Sequence, residues 1–262
     1  METIFFVGDV HGYRDRIVNH LIEAGLVGRD GKWAGGDKRL FFMGDFMDRG
    51  PEGIESLEFV MDLQADARKK GGTVESVMGN HEAGLISVKR LGAAPSLGKK
   101  GTFESDWIGL GGKLDELARV TDRHMDWITA LPALIRVGDV LIGHSDSLFT
   151  LEYGDTVEEV NAAFRRFVMT SDPDFWGPFV VKFYERYIFW REPREVEKLL
   201  GHFGGKRFVH GHTTIPDMCG ADPKTVTGAL VYADGRCVDV DGGMYLGAPG
   251  FIHRETIASG VG

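Results

Sequence analysis

The sequence predicts an α/β protein built on parallel strands, and three observations carry that expectation. Apolar runs at 3–7, 39–43 and 73–78 each end in a polar string punctuated by glycine. The strings are Gly8-Asp9-Val10-His11-Gly12, Gly44-Asp45-Phe46-Met47-Asp48-Arg49-Gly50 and Gly79-Asn80-His81-Glu82. A segment with helical character follows each one, at 15–24, 54–70 and 82–91. Strand, string and helix repeat three times, the pattern of a parallel sheet with crossover helices. In such sheets ligands gather at the carboxyl ends of the strands.

Each element has a local reason. Residues 3–7 are an apolar run of strand length that stops at Gly8. Apolar residues at helical spacing make 15–24 an amphipathic helix closed by Gly25. Pro51 suits the first turn of the next helix, which continues over 54–70 until Gly71-Gly72 ends it. A loop is expected at 93–105, with Gly98, Lys99, Lys100 and Gly101 at its centre. Residues 107–131 read as helical with a break near Thr121, and 134–137 with 140–142 as a hairpin through Gly138-Asp139 that delivers His144. The stretch 150–200 is helix-prone and rich in aromatics, among them Phe175, Trp176, Phe179, Phe183, Tyr184 and Tyr187. Their spacing suits helix packing better than a substrate groove. Residues 207–209 lead to His212, and 230–232 with 237–240 are late strands around the Asp234-Gly235 turn. Without repeats, low-complexity tracts or a clear linker, one domain over 1–262 is expected, with 150–200 as a helical insertion or cap segment within it.

Bulk properties narrow the function. A chain of 262 residues, 43% hydrophobic and 26% charged, suits a globular enzyme of one large domain. A net charge of −9 argues against a broad basic surface for nucleic acid. No apolar run approaches the roughly 18 residues of a membrane span, and the N-terminus runs straight into the first string, leaving no room for a signal peptide. Cys219 and Cys237 are therefore expected as two reduced thiols in a cytoplasmic protein.

The strings carry metal chemistry. Asp9 and His11, two residues apart at a strand end, can reach one ion, and Asp45 on the neighbouring strand can bridge to a second. Asn80 offers a neutral oxygen, and His144 and His212 each sit beside a glycine after an apolar run. Oxygen and imidazole donors suit manganese, iron or zinc. Two such ions held close together turn water into a nucleophile against phosphate esters.

On these strings, together with Gly143-His144-Ser145-Asp146 and Gly211-His212-Thr213-Thr214, the chain resembles the calcineurin-like metallophosphoesterases, and within them the phosphoprotein phosphatase family. The resemblance implies a β-sandwich core flanked by helices, with metals at the carboxyl ends of strands. It implies that Asp9, His11 and Asp45 hold a first divalent ion and that Asp45, Asn80, His144 and His212 hold a second. Manganese is the expected metal, with iron or zinc as alternatives. His81 corresponds to the acid that protonates the leaving group, Asp48 to the aspartate that orients it, and Arg49 to the arginine that grips phosphate. A metal-bridging hydroxide would attack phosphorus directly. The segment Phe189-Trp190-Arg191-Glu192-Pro193-Arg194 resembles the source of a late phosphate-binding arginine, and Arg191 is expected over Arg194.

Departures from the pattern refine the expectation. Met78 stands where many protein phosphatases of the family have arginine, and His144-Ser145-Asp146 replaces the usual His-Gly-Gly. Gly211-His212-Thr213-Thr214 lacks the second histidine common in phosphodiesterases, which favours monoesters. His210 is expected as a core or supporting histidine, and Asp241 resembles a late family motif as well as it does a plain turn. Met78 points to the bacterial-type branches, the Shewanella-like phosphatases or the symmetrical diadenosine tetraphosphate hydrolases, and the Trp33-Ala34-Gly35-Gly36 stretch favours the former. The expected function is a two-metal phosphomonoesterase acting on phosphoserine, phosphothreonine or phosphotyrosine in proteins, or on a small phosphate ester. The alternatives are a dinucleoside polyphosphate hydrolase and a non-catalytic phosphate-recognising scaffold. Neither a membrane nor a nucleic acid is an expected partner.

Overall fold

A computed structural model describes residues 1–96 and 101–258; of the 93–105 loop, Gly98, Lys99 and Lys100 lie outside the described residues. Among the described residues, nine strands form two sheets. The first has the order β3-β2-β1-β9, from β1 (Glu2–Val7), β2 (Arg39–Phe42), β3 (Thr73–Ser76) and β9 (His253–Ile257). The second has the order β4-β5-β6-β8-β7, from β4 (Leu134–Val137), β5 (Val140–Gly143), β6 (Arg207–His210), β7 (Leu230–Tyr232) and β8 (Cys237–Asp239).

The expected parallel core is present: β1 pairs with β2 and β2 with β3 in parallel, as do β5 with β6 and β6 with β8. Both sheets are nevertheless mixed. β9 closes the first sheet antiparallel to β1, while β4 and β7 edge the second antiparallel to β5 and β8. Alternation along the strands explains the layers. Ile4 and Phe6 of β1 meet Val140 and Ile142 of β5, Val209 of β6 and Val238 of β8 in one buried cluster between the sheets. Phe5 and Val7, on the opposite face of β1, join a second cluster with the flanking helices. Strands covered on both faces read as unbroken apolar runs, which is why they were visible in the sequence.

The helices follow the same logic. In the helix Arg14–Glu23, Ile17 and Leu21 are buried one turn apart. The helix Gly53–Lys69 begins after Glu52 rather than at Pro51, which stays outside it. The helix Asn80–Leu91 starts two residues earlier than expected, so Asn80 itself opens it. The expected 107–131 helix is three: Phe103–Gly109, Leu114–Arg119 and Asp122–Thr129. Thr121 caps the third, as its sequence position suggested. The other break falls at Gly111, whose φ of +109° a helix cannot accommodate. In 150–200, Trp176, Phe179 and Phe183 are buried and Phe179 packs against Phe164 and Tyr153. Most of this aromatic set is therefore packing, as its spacing suggested.

Candidate metal centre

The five strings that follow β1, β2, β3, β5 and β6 converge on one place. Their loops hold one another. The amides of Val10 and His11 donate to the Asp45 carbonyl at 3.1 and 2.8 Å, and Gly50 donates back to the His11 carbonyl at 3.0 Å. Glu82 closes the set from the third loop: its carboxylate accepts the amides of Asp45, Phe46 and Gly79 at 2.8, 2.9 and 3.0 Å. Two glycines leave room for the carboxylates. A Cβ on Gly79 would stand 2.1 Å from Asp45 Oδ1, and one on Gly211 would stand 2.3 Å from Asp9 Oδ1.

Two groups of buried side chains can each hold a metal ion, His11-Asp45-His81 and Asp45-His144-His212, and they share Asp45. Asp45 presents one oxygen to each side. Oδ2 lies 3.5 Å from His11 Nε2, and Oδ1 lies 3.5 Å from His144 Nε2. Asp9 Oδ2 lies 4.0 Å from His11 Nε2, and the Asp9 carboxylate also accepts the amide of His212 at 3.1 and 3.2 Å. His11 donates from Nδ1 to the Met47 carbonyl at 3.0 Å, and His144 from Nδ1 to the Met43 carbonyl at 2.6 Å. Each bond fixes the tautomer and leaves Nε2 free as a ligand.

The donor set fits a pair of divalent cations. His144 Nε2 faces Asn80 Oδ1 at 2.7 Å, and burial holds the ring below its ordinary pKa. That contact places the Asn80 amide beside the nitrogen that His144 would offer an ion. Burial also pushes His11 and His212 well below the usual histidine range, into the neutral form that ligates metals. The carboxylates are crowded. Burial, with Asp241 and Asp45 adding, pushes Asp9 well up, and burial pushes Asp241 up to about 7. For Asp45, burial opposes the anion, but His144, His81, His11 and His212 together hold its pKa far below the usual range. Two cations would offset this buried negative charge.

Beside this cluster sit the groups expected to handle substrate. His81 Nδ1 donates to Asp48 Oδ2 at 2.6 Å, and Trp107 Nε1 donates to the same oxygen at 3.0 Å. His81 Nε2 is engaged by Arg49 Nη2 at 3.1 Å. Both ring nitrogens of His81 are thus engaged by groups outside the proposed ligand set, Asp48 and Arg49. Burial opposes a charged His81, but Asp45 and the bond to Asp48 outweigh it and raise its pKa above the ordinary value. Arg49 is fixed by its own amide, which donates to the Gly111 carbonyl at 2.9 Å, and its guanidinium lies 4.0 Å from the Tyr245 ring centroid.

The remaining sequence expectations fall at different distances from this centre. Arg191 is exposed, with its guanidinium 5.2 Å from the Tyr187 ring centroid. Arg186, which no motif marked, adds a smaller push to the lowering of His144 and His212, whose main cause is burial. His210 is fully buried, with Nδ1 donating to the Gly211 carbonyl at 2.9 Å and Nε2 bonded to the Tyr232 hydroxyl at 2.8 Å, a supporting role as expected. Asp241 does form a turn, accepting the Gly243 amide at 2.9 Å, but its Oδ2 is buried without a protein partner and the group is close enough to act on Asp9. Tyr184 lies between His81 and His212, its ring 6.1 and 6.3 Å from theirs. Tyr184, Tyr245 and Arg186 had no motif to mark them; Glu82 had one, but not its task. Cys219 and Cys237 are both free. Among the described residues, no helix is long and apolar enough to cross a membrane.

Residues 2–216 match the family model for calcineurin-like phosphoesterases. The chain is a calcineurin-like phosphoesterase. Shewanella-like protein phosphatase 2 of Arabidopsis thaliana is 30% identical over 135 residues, which are 50% of this chain and 34% of that one. A symmetrical bis(5'-nucleosyl)-tetraphosphatase of Neisseria meningitidis is 28% identical over 144 residues, 55% of this chain and 43% of the relative. The chain thus spans less than half the length of either relative. The cold-active protein-tyrosine phosphatase of a psychrophilic Shewanella species has a TM-score of 0.71 to this fold, covering 97% of this chain and 75% of its own at 22% identity. That likeness is one of fold. The phosphoprotein phosphatase resemblance, expected from the strings, and its Shewanella-like branch, expected from the Trp33-Ala34-Gly35-Gly36 stretch, agree with these matches.

Proposed function

We propose that this phosphoesterase is a two-metal phosphomonoesterase of the protein-phosphatase type, acting on phosphoserine, phosphothreonine or phosphotyrosine. The observation that carries the reading is the shared Asp45, one oxygen toward His11 and the other toward His144, with the His81–Asp48 pair against the same carboxylate. Asp9, His11 and Asp45 are assigned to one ion, and Asp45, Asn80, His144 and His212 to the other. Manganese is the proposed metal, with iron or zinc as alternatives. When bound, the two ions would supply a nucleophilic oxygen from water and offset charge on the phosphate.

His81 donates a proton from Nε2 to the leaving oxygen, while Asp48 holds Nδ1–H and keeps the ring oriented. In the substrate-free arrangement Arg49 donates to that same Nε2. Phosphate must therefore draw the guanidinium off the ring, and Nε2 must take up a proton from water, before it can serve the leaving group as an acid. Tyr245, under the guanidinium, keeps it near both positions. For a second phosphate contact Arg186 is proposed ahead of Arg191, because its charge reaches His144 and His212. The chain is proposed as one cytoplasmic domain, with 150–200 walling the site through Tyr184 and Arg186.

The Neisseria relative favours a second reading, hydrolysis of dinucleoside polyphosphates. An adenine would need an open aromatic face, and Trp176, Phe179 and Phe183 are buried in packing. A non-catalytic scaffold has no need of an intact His81–Asp48–Arg49 set. The test is hydrolysis of p-nitrophenyl phosphate and of its bis-ester by metal-stripped protein titrated with Mn²⁺. Metal-dependent cleavage of the monoester with little of the diester is expected. Preference for the diester would overturn the proposal, and tetraphosphate cleavage without phosphopeptide cleavage would favour the second reading.

A further inference from the structure

Asp146 stands in the string Gly143-His144-Ser145-Asp146, where the usual pattern has glycine, and the metal assignments leave it without a task. It is 0% exposed. Its Oδ1 accepts the Thr213 hydroxyl at 2.6 Å, whereas its Oδ2 is buried without a hydrogen-bond partner. A carboxylate so deep with one side-chain bond is costly and needs a reason.

The bond joins two particular loops. Asp146 lies two residues after His144, and Thr213 directly follows His212. The His144 and His212 rings are 4.9 Å apart between centroids, and the backbones carrying them are tied once more, by the Gly211 amide to the His144 carbonyl at 2.9 Å. His212 itself is held at a φ of +69°, which a non-glycine residue keeps only under restraint. On its other side the Asp146 carbonyl accepts the amide of Ile188 at 3.2 Å. That contact fixes the chain next to Tyr187, at a φ of +68°, and so the placement of Arg186.

We propose that Asp146 is a positioning residue that clamps the His212 loop to the His144 loop through Thr213, setting the spacing of the two imidazoles assigned to the second ion. The inference rests on the two-metal reading for its function but on Asp146–Thr213 geometry for its existence. A glycine at 146 would leave the buried Thr213 hydroxyl without its acceptor, so the clamp is particular to a chain with aspartate there.

The test compares Thr213→Val, Asp146→Ala and Asp146→Asn with the native 262-residue chain. The first two remove the bond; the third keeps an oxygen to accept it. Metal-stripped proteins are titrated with Mn²⁺ by calorimetry, with bound metal counted by elemental analysis. Thr213→Val and Asp146→Ala should weaken one of two ions by about tenfold or more, with Asp146→Asn closer to native. A second readout uses no metal. The His212 amide, which donates to Asp9, should lose hydrogen-exchange protection in metal-free Thr213→Val and keep it in Asp146→Asn. Lower melting temperatures with native metal affinity and native His212 protection would overturn the clamp. If the native chain binds fewer than two ions, the two-metal reading fails, and the exchange result still decides the clamp. If Asp146→Ala does not fold, the other two variants carry the comparison.

Discussion

Replacing Asp48 with asparagine isolates the contribution of charge to the proposed acid. Asp48 is buried, and its Oδ2 accepts from His81 Nδ1 at 2.6 Å and from Trp107 Nε1 at 3.0 Å. Asparagine keeps an acceptor oxygen of the same reach but loses the negative charge. A charge-assisted hydrogen bond contributes about 1.5–3 kcal/mol and a neutral one about 0.5–1.5 kcal/mol. The imidazolium would lose a stabilisation of about 1.4 kcal/mol, which is about one pKa unit. Asp45, which also raises the pKa of His81, remains. The acid acts in its protonated form, so turnover persists below the His81 pKa and falls as pH rises through it. The alkaline limb should therefore lie about one unit lower in Asp48→Asn than in the native chain. The assay is kcat/KM against pH with a phosphoserine peptide and with p-nitrophenyl phosphate, whose leaving group needs little protonation. The limb should move with the peptide and be weak with the aryl ester. An unmoved limb, or the same limb with both substrates, would refute Asp48 as the partner that keeps His81 charged.

Other perturbations separate the remaining roles. His81→Asn should cost about 10²–10⁴ in turnover of a phosphoserine peptide and far less with p-nitrophenyl phosphate, with bound metal near native by elemental analysis; equal losses would sink the acid assignment. Glu82→Ala leaves the buried amides of Asp45, Phe46 and Gly79 without their acceptor, and at about 1–3 kcal/mol each the loss should reach about 3 kcal/mol or more in denaturant unfolding. Arg186→Ala should raise KM for a phosphopeptide more than Arg191→Ala does; the reverse order would return the second phosphate contact to Arg191.

The residues proposed as ligands could be picked out because they repeat one side-chain chemistry at strand ends, and each strand there is an apolar run that reads plainly. What escaped the sequence depends on approach between distant segments. Glu82 is visible as part of its string, yet its work lies on amides 36 and 37 residues away. Gly111 reads as a helix breaker only after its carbonyl is seen holding the Arg49 amide. β9 lies at an edge and reads HRETI, with Ile257 its one apolar residue, so no apolar run marks it. Arg186 and Arg191 stand five residues apart in one aromatic-rich stretch, on opposite sides of a bend at Tyr187 that no apolar spacing announces.

The backbone explains why the strings work as a set. Among the described residues, eight outside glycine have positive φ, and His11, Asp45, Asp48, Arg49 and His212 are five of them. Each such conformation costs on the order of 1–3 kcal/mol and persists only where its surroundings enforce it. The enforcing contacts run between loops: His11 to Asp45, Gly50 to His11, Arg49 to Gly111, and the His212 amide to Asp9. No loop therefore has its functional shape alone. A single histidine or aspartate from these strings, moved to another fold, would lose its conformation along with its neighbours. Conversely, damage to one loop should reach the ligands of the others, so metal affinity at both sites is a property of the whole rim and not of the residue nearest each ion.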